Sequence, residues 1–285
     1  MGGIGCTRTY IIYIYNIHML VCDFECYGFF SCNSLKLNRI IDYIERYRML
    51  PVEIDSSHIY GFYKDDQDND ITYDYFTHYS EYSIDTIYKQ YNFCPIENQY
   101  YNYNTLQFNK LSPIIYKYFN PCPKTMNIRK SLVYKYNIQP SKCIGMYIRC
   151  TDKYGETKLG SFSEYENKIK DILHIDNSLQ ILLVTDSYYC EEYMKSKFTN
   201  IICTTENRVS KTQKGIHNES SRLENYNDMF VFTSLLLIIS TCKYIVCSSG
   251  NCSLWIMLYR GHAHNVNQFS NDIWFGSVGG DVLGE

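Results

Sequence analysis

The chain has 285 residues, of which 45% are hydrophobic and 20% charged, and its formal net charge is −3. That is enough apolar sequence to bury a full core, which excludes a disordered tail or a small stapled scaffold and suits one large domain or two. With 27 Lys and Arg against 30 Asp and Glu there is no basic excess to neutralise a phosphate backbone, so nucleic acid is not an expected partner.

The apolar stretch from Tyr10 to Cys22 is too short to cross a bilayer and reads as a buried strand. Residues 27–31 follow as a loop. Leu35, Leu37, Ile40, Ile41 and Ile44 then recur at near-helical spacing and predict a helix from Ser34 to Tyr47. Pro51 to Asp55 reads as a second strand, which completes a βαβ unit. Lys64 to Asp70 (KDDQDND) is a polar loop. In it Asp66, Asp68 and Asp70 fit the letters of an Asp-x-Asp metal motif, although such clusters are commonly solvated turns. The tyrosine-rich segment from Thr72 to Asn120 reads as short helices and loops, and Thr125 to Tyr136 as a helix after the break at Pro121-Cys122-Pro123.

A second series starts at Lys142. Strands are expected at Cys143–Ile148, Leu179–Thr185, Ile201–Thr204 and Lys243–Cys247, with helices at Ser163–Leu173, Cys190–Phe198, Glu224–Thr241 and Cys252–Tyr259. A boundary near residue 140 divides the chain into two Rossmann-like αβα domains facing a cleft, residues 1–140 and 141–285.

Three strand ends carry the polar residues. In IGMYIRCTDKYGET (Ile144 to Thr157), Arg149, Asp152 and Lys153 crowd the carboxyl end of a strand, the rim where α/β sheets bind ligands. The planar fork of Arg149 suits a phosphate or diphosphate, and it equally suits a surface Arg–Asp pair. In KYIVCSSGNCSLWIMLY (Lys243 to Tyr259) a strand turns into a helix through Ser248, Ser249, Gly250 and Asn251. Gly250 lets backbone approach a ligand, and the opening N–H groups of the helix favour an anion. A plain serine-capped turn has the same letters, and the lysine and later glycines of known phosphate fingerprints are missing. Asp186, in Val184-Thr185-Asp186-Ser187, ends a strand on the same rim or caps the following helix. No histidines or cysteines cluster at metal spacing, so no metal or other cofactor is expected.

These segments, in order, resemble the motifs of GDP-fucose-dependent fucosyltransferases, most nearly the α1,6-fucosyltransferase branch. That family's His-x-Arg-Arg-x-Asp strand end, with Thr-Asp-Lys-x-Gly, is matched by Tyr147 to Gly155. Its Thr-Asp-Asp strand end is matched by Val184 to Ser187, its Gly-Leu-His-Asn by Lys214 to Asn218, and its Phe-Leu-Val-Cys strand with a Ser-rich turn by Lys243 to Cys252. Gly28 to Ile41 is a looser match to its first glycine-containing loop and helix. The resemblance covers about half the chain, residues 141–260.

It implies a GT-B-like fold and an inverting, metal-independent transfer of fucose from GDP-fucose to a glycan or glycoprotein hydroxyl. Arg149 would contact the β-phosphate, with Lys153 beside it and Asp152 orienting either cation. Ser248, Ser249, Gly250 and Asn251 would hold the same diphosphate. Asp186 and His217 would lie in the donor cleft, and Asp228 would reach toward guanine, about two helical turns from the family's position. Glu156 is the implied general base, one residue short of the family's spacing, where Thr157 stands. Tyr147 replaces a histidine of the nucleotide pocket, and Cys150 replaces the second arginine. Those departures keep open a donor with another sugar, or a catalytically silent nucleotide- or glycan-binding module.

The 13 cysteines include no CxxC pair and suit reduced thiols in a cytoplasmic protein. Thirty tyrosines and a single alanine, Ala263, suggest the AT-rich coding of a large DNA virus or a protist.

Overall fold

A computed structural model describes residues 19–23, 28–78 and 99–276. Of the predicted first strand, residues 10–18 lie outside the described residues. Its end, β1 (Met19–Val21), pairs in parallel with β2 (Glu53–Asp55) across α1 (Phe29–Tyr47), which is the expected βαβ unit. Helix α1 begins five residues ahead of the predicted Ser34, inside the expected loop. Its first N–H, on Phe29, donates to the hydroxyl of Tyr63 at 2.9 Å, a cap supplied by a distant side chain. The buried Leu37, Ile40, Ile41 and Ile44 form its apolar stripe, and Arg48 ends it in the left-handed conformation (φ 56°).

The polar loop leads to the single turn α2 (Thr72–Tyr75) and to β3 (Phe76–Thr77), which pairs with β4 (Asn120–Pro121). Between them, α3 (Phe108–Tyr118) is longer than the short helices expected. Pro113 masks it in the sequence, but Leu111, Ile114, Ile115 and Tyr118 bury one face at the spacing of a helix. Helix α4 (Pro123–Lys135) opens with proline at N1.

The second series matches its prediction to within a few residues. Strands β5 (Cys143–Ile148), β6 (Gln180–Thr185), β7 (Ile201–Cys203) and β8 (Tyr244–Ser248) alternate with α5 (Phe162–Ile175), α6 (Tyr188–Lys197) and α7 (Arg222–Ser240). Helix α8 (Asn251–Arg260) follows β8. The capping boxes of Ser161 with Glu164 and of Ser221 with Glu224 start α5 and α7. Two strands were not expected, β9 (Val266–Ser270) and β10 (Ile273–Phe275). Asn271 and Asp272, at φ 48° and 68°, form the two-residue turn of this hairpin.

The six strands lie in the order β10-β9-β8-β5-β6-β7, all parallel except β10. Side-chain alternation divides the apolar residues between the two faces. Cys143, Tyr147, Leu182, Val184, Ile245 and Cys247 face the cluster that holds α1, α3, α7 and α8. Ile144, Met146, Ile148, Ile181, Leu183 and Val246 face α5 and α6. No helix among the described residues is long and apolar enough to cross a membrane.

Candidate functional site

From β5 the chain builds outward through β6 to β7, and α7 then carries it back to β8 on the other side of β5. Between β5 and β8 the strand order reverses, and there the loops at the carboxyl ends part to leave a crevice. Odd-numbered residues of β5 face α7 and α8, so the alternation that turns Tyr147 to that side directs Arg149 there too.

The crevice is a cavity of about 350 Å³. Of the residues that the resemblance assigns to the donor site, all but Ser248 reach its wall, whereas Cys150 and the acidic loop do not. That serine acts from behind, its hydroxyl accepting the Arg149 backbone N–H at 3.0 Å.

The β5 loop supplies the charged groups. Arg149 grips Asp152 with Nε at 2.9 Å and with Nη2 at 2.6 and 2.7 Å from the two carboxylate oxygens, and its Nε lies 3.7 Å from Asp186. Burial works against the guanidinium charge, but Tyr147, Cys252, Asp186 and Asp152 outweigh it and raise its pKa. Burial likewise opposes the charge on Asp152, and Arg149 overrides it, holding the carboxyl below its ordinary range. Asp186 ties the loop down. One oxygen accepts the Cys150 N–H at 2.7 Å, and the other accepts the Thr151 hydroxyl at 2.7 Å.

Lys153 is nearly buried and ion-paired with Glu156, whose same oxygen accepts the hydroxyl of Tyr100 at 2.6 Å. Against the effect of burial, those two donors hold the Glu156 carboxyl below its usual value.

At the β8 end, the positive φ of Gly250 (153°) allows the sharp entry into α8. The first intrahelical bond runs from Leu254 N–H to the Gly250 carbonyl, so the N–H groups of Asn251, Cys252 and Ser253 come before it. The Ser249 hydroxyl accepts from Gln268 at 2.7 Å. The Asn251 side chain is committed elsewhere. Its Oδ1 accepts from Ser34 at 2.7 Å, and its Nδ2 donates to Ser31 and Gln99 at 3.0 Å. It therefore clamps α8 to α1, leaving its backbone N–H for a ligand.

Three parts of the wall go beyond the site residues named from the sequence. The start of α1, from Gly28 to Ser31, opens on the same cavity as the start of α8, and neither helix has an acid in its first turn. Helix α7 presents Asn225, Met229, Phe232 and Leu235 along one face. Arg208 pairs with Asp228 and bonds Ser220, so the carboxylate expected near guanine already carries a cation partner. Nothing in the letters around Arg208 announces it.

His217 lies on a short 3₁₀ turn, its ring 4.8 Å from that of Phe62 and its carbonyl held by Asn225 Nδ2 at 2.8 Å. Burial first and Arg149 second push its pKa below the ordinary value, against the pull of Asp152.

The acidic loop stands apart from this cavity. The Asp70 carboxylate accepts the backbone N–H groups of Ser56 at 2.7 Å and Thr72 at 2.9 Å. The Lys64 ammonium binds the Gln67 and Asn69 carbonyls at 2.7 and 2.8 Å. No group of three metal-binding side chains occurs among the described residues.

No protein-family model matches the chain, and no curated protein matches it in sequence. Among solved structures it is similar to NodZ alpha-1,6-fucosyltransferase soaked with GDP-fucose. That match has a TM-score of 0.52 and 10% identity over 88% of this chain and 94% of that one. The same enzyme co-crystallised with GDP also matches with a TM-score of 0.52 and 10% identity, over 90% of this chain and 96% of that one. The shared property at this identity is the fold, and it is the GT-B-like α/β fold expected from the sequence.

Proposed function

We propose that this chain is an inverting glycosyltransferase that transfers fucose from GDP-fucose to a hydroxyl of a glycan or glycoprotein. The observation that carries the reading is the convergence of Arg149, Lys153 and the openings of α1 and α8 on one cavity at the switch point of the sheet. Breaking a sugar–diphosphate bond leaves growing negative charge on the diphosphate. Cations and helix-terminal N–H groups can stabilise that charge. The likeness in fold to a fucosyltransferase that holds GDP-fucose and GDP supports the same donor here.

In this reading Arg149 turns from Asp152 onto the diphosphate, and Lys153 approaches it from the same loop. The turn at Ser249 to Asn251 offers backbone N–H groups, with Ser248 and Asp186 holding the Arg149 loop in place. Tyr147, Asp228 and Arg208 line the same cavity. The acceptor hydroxyl attacks C1 from the face opposite the diphosphate, which inverts the configuration. No divalent ion is required, and turnover is expected to survive EDTA.

Thermal-shift titration with GDP, UDP and GDP-fucose, followed by an assay of GDP release from GDP-fucose, tests the proposal. The expected result is stabilisation by GDP and GDP-fucose above UDP, with release of GDP. Absence of GDP binding would sink it. Tyr147 and Cys150, at positions where the resembled family has histidine and arginine, favour one second reading, a binding module without catalysis. That reading is indicated by GDP stabilisation with no turnover.

A further inference from the structure

We infer that His217 takes the proton from the acceptor hydroxyl, and that Asp152 passes its charge from Arg149 to His217 when a donor diphosphate binds. This rests on the proposed transfer reaction and adds to it a proton acceptor and the means of engaging it.

The ring is held in place from two sides. Asn225, itself buried, donates from one amide nitrogen to the carbonyls of both His217 (2.8 Å) and Phe62 (3.1 Å), and the Phe62 ring lies against the imidazole. The ring lines the cavity, and among the described residues its nitrogens make no hydrogen bond.

Gly215 brings it close to a carboxylate. A Cβ at that position would fall 2.7 Å from Asp152 Oδ2 and 2.9 Å from His217 Cε1. A bare glycine backbone is therefore what lets the Asp152 carboxylate and the His217 ring share this corner. The charged groups that reach the imidazole are Arg149 and Asp152. Phe62 and Asn225, which pack against it from the neighbouring loop and from α7, are neutral.

Glu156 is a weaker acceptor. Lys153 and Tyr100 both donate to its Oε2, and they hold the carboxyl below the ordinary value. Both donors would have to leave that oxygen before it could take a hydroxyl proton.

Without ligand, both Asp152 oxygens lie on the Arg149 Nη2, and burial first and the guanidinium second depress the basicity of His217. A diphosphate that engages Arg149 neutralises the cation and leaves the Asp152 carboxylate facing the imidazole. Donor binding thereby raises the basicity of His217, as thermodynamic linkage requires. In the step itself, the acceptor oxygen bonds to C1 while the C1–O bond to the diphosphate breaks, and its electron pair leaves on GDP. The hydroxyl proton passes to an imidazole nitrogen, Asp152 stabilises the imidazolium, and the proton is later lost to water.

NMR titration of the histidine rings in the full chain, with the His217 signal assigned by its loss in His217→Gln, reads the switch apart from activity. The His217 midpoint is expected below about 6.5 in the free protein and higher with saturating GDP, the rise being absent in Asp152→Asn. His217→Gln is expected to lower turnover about a hundredfold or more while GDP affinity stays within about threefold, and Glu156→Gln to lower turnover by less than about tenfold. A midpoint unmoved by GDP, or a His217→Gln variant within about tenfold of wild-type turnover, overturns the inference while leaving the transferase reading intact. A wild type that does not bind GDP overturns both.

Discussion

Arg149 and Asp152, three residues apart on the β5 loop, form a two-pronged pair in which Nη2 lies 2.6 and 2.7 Å from the two carboxylate oxygens. The carboxylate holds the guanidinium at the cavity wall until a diphosphate takes its place. Planar matching of this kind is a property of arginine that lysine lacks.

Arg149→Ala is therefore expected to abolish stabilisation by GDP and to reduce turnover by about 10²–10³, the cost of removing one fixed charge from a developing anion. Arg149→Lys keeps the charge and loses the fork, so it is expected to recover only part of either property. Thermal shift and GDP release measured on both variants check this. An alanine variant with near-normal turnover would remove Arg149 from the mechanism.

The same pair gives a pH dependence of stability. Because Arg149 holds the folded Asp152 pKa below its unfolded value, the pair's contribution is complete above the unfolded value of about 3.9. It is lost as pH falls through the folded value. The stability difference between wild type and Asp152→Asn, followed by urea unfolding from pH 7 to pH 3, is expected to shrink at the acid end. A difference constant across that range would contradict the assignment.

How much of this was legible in the sequence varies by element. The second βα series was, because Gln180–Thr185 and its neighbours are unbroken apolar runs and Ser161 and Ser221 are followed by Glu at the capping-box position. The rim residues were legible for the same reason, since Arg149, Asp186 and Ser249 each follow a strand end. What escaped depends on distant partners. The start of α1 at Phe29 relies on Tyr63, and the wall at Arg208 relies on Asp228, a residue on another element. The hairpin of β9 and β10 was missed because Asn271-Asp272 lacks the glycine that usually marks such a turn. The use of the Asn251 side chain as a clamp on α1 escaped too, because its partner Ser34 lies more than 200 residues earlier.

That clamp predicts a coupling between stability and donor affinity. Asn251→Ala removes bonds to Ser34, Ser31 and Gln99, each worth about 1 kcal/mol net. It also weakens the support of Ser34, which accepts the Trp255 indole N–H at 2.9 Å. A fall in Tm of about 6–12 °C is expected, at roughly 2–4 °C per kcal/mol for a large domain. GDP affinity is expected to fall as well, because the opening of α8 loses its brace. A variant with unchanged Tm would show that the clamp adds nothing.

Cys150 makes the sharpest contrast with the resembled motif. Its side chain is 7% exposed and joins the apolar cluster beneath α5 and α6, on the face of the sheet opposite the one Arg149 serves. Both Asp186 oxygens nearby are already engaged by the loop, through Cys150 N–H on one side and Thr151 on the other. Cys150→Arg would therefore drive a guanidinium into apolar surroundings without a free acceptor. A loss of about 3 kcal/mol or more is expected in urea unfolding, with no gain in GDP affinity. A tenfold gain in affinity would mean that residue 150 reaches the cavity after all, and that the absent arginine has been replaced in position but not in role.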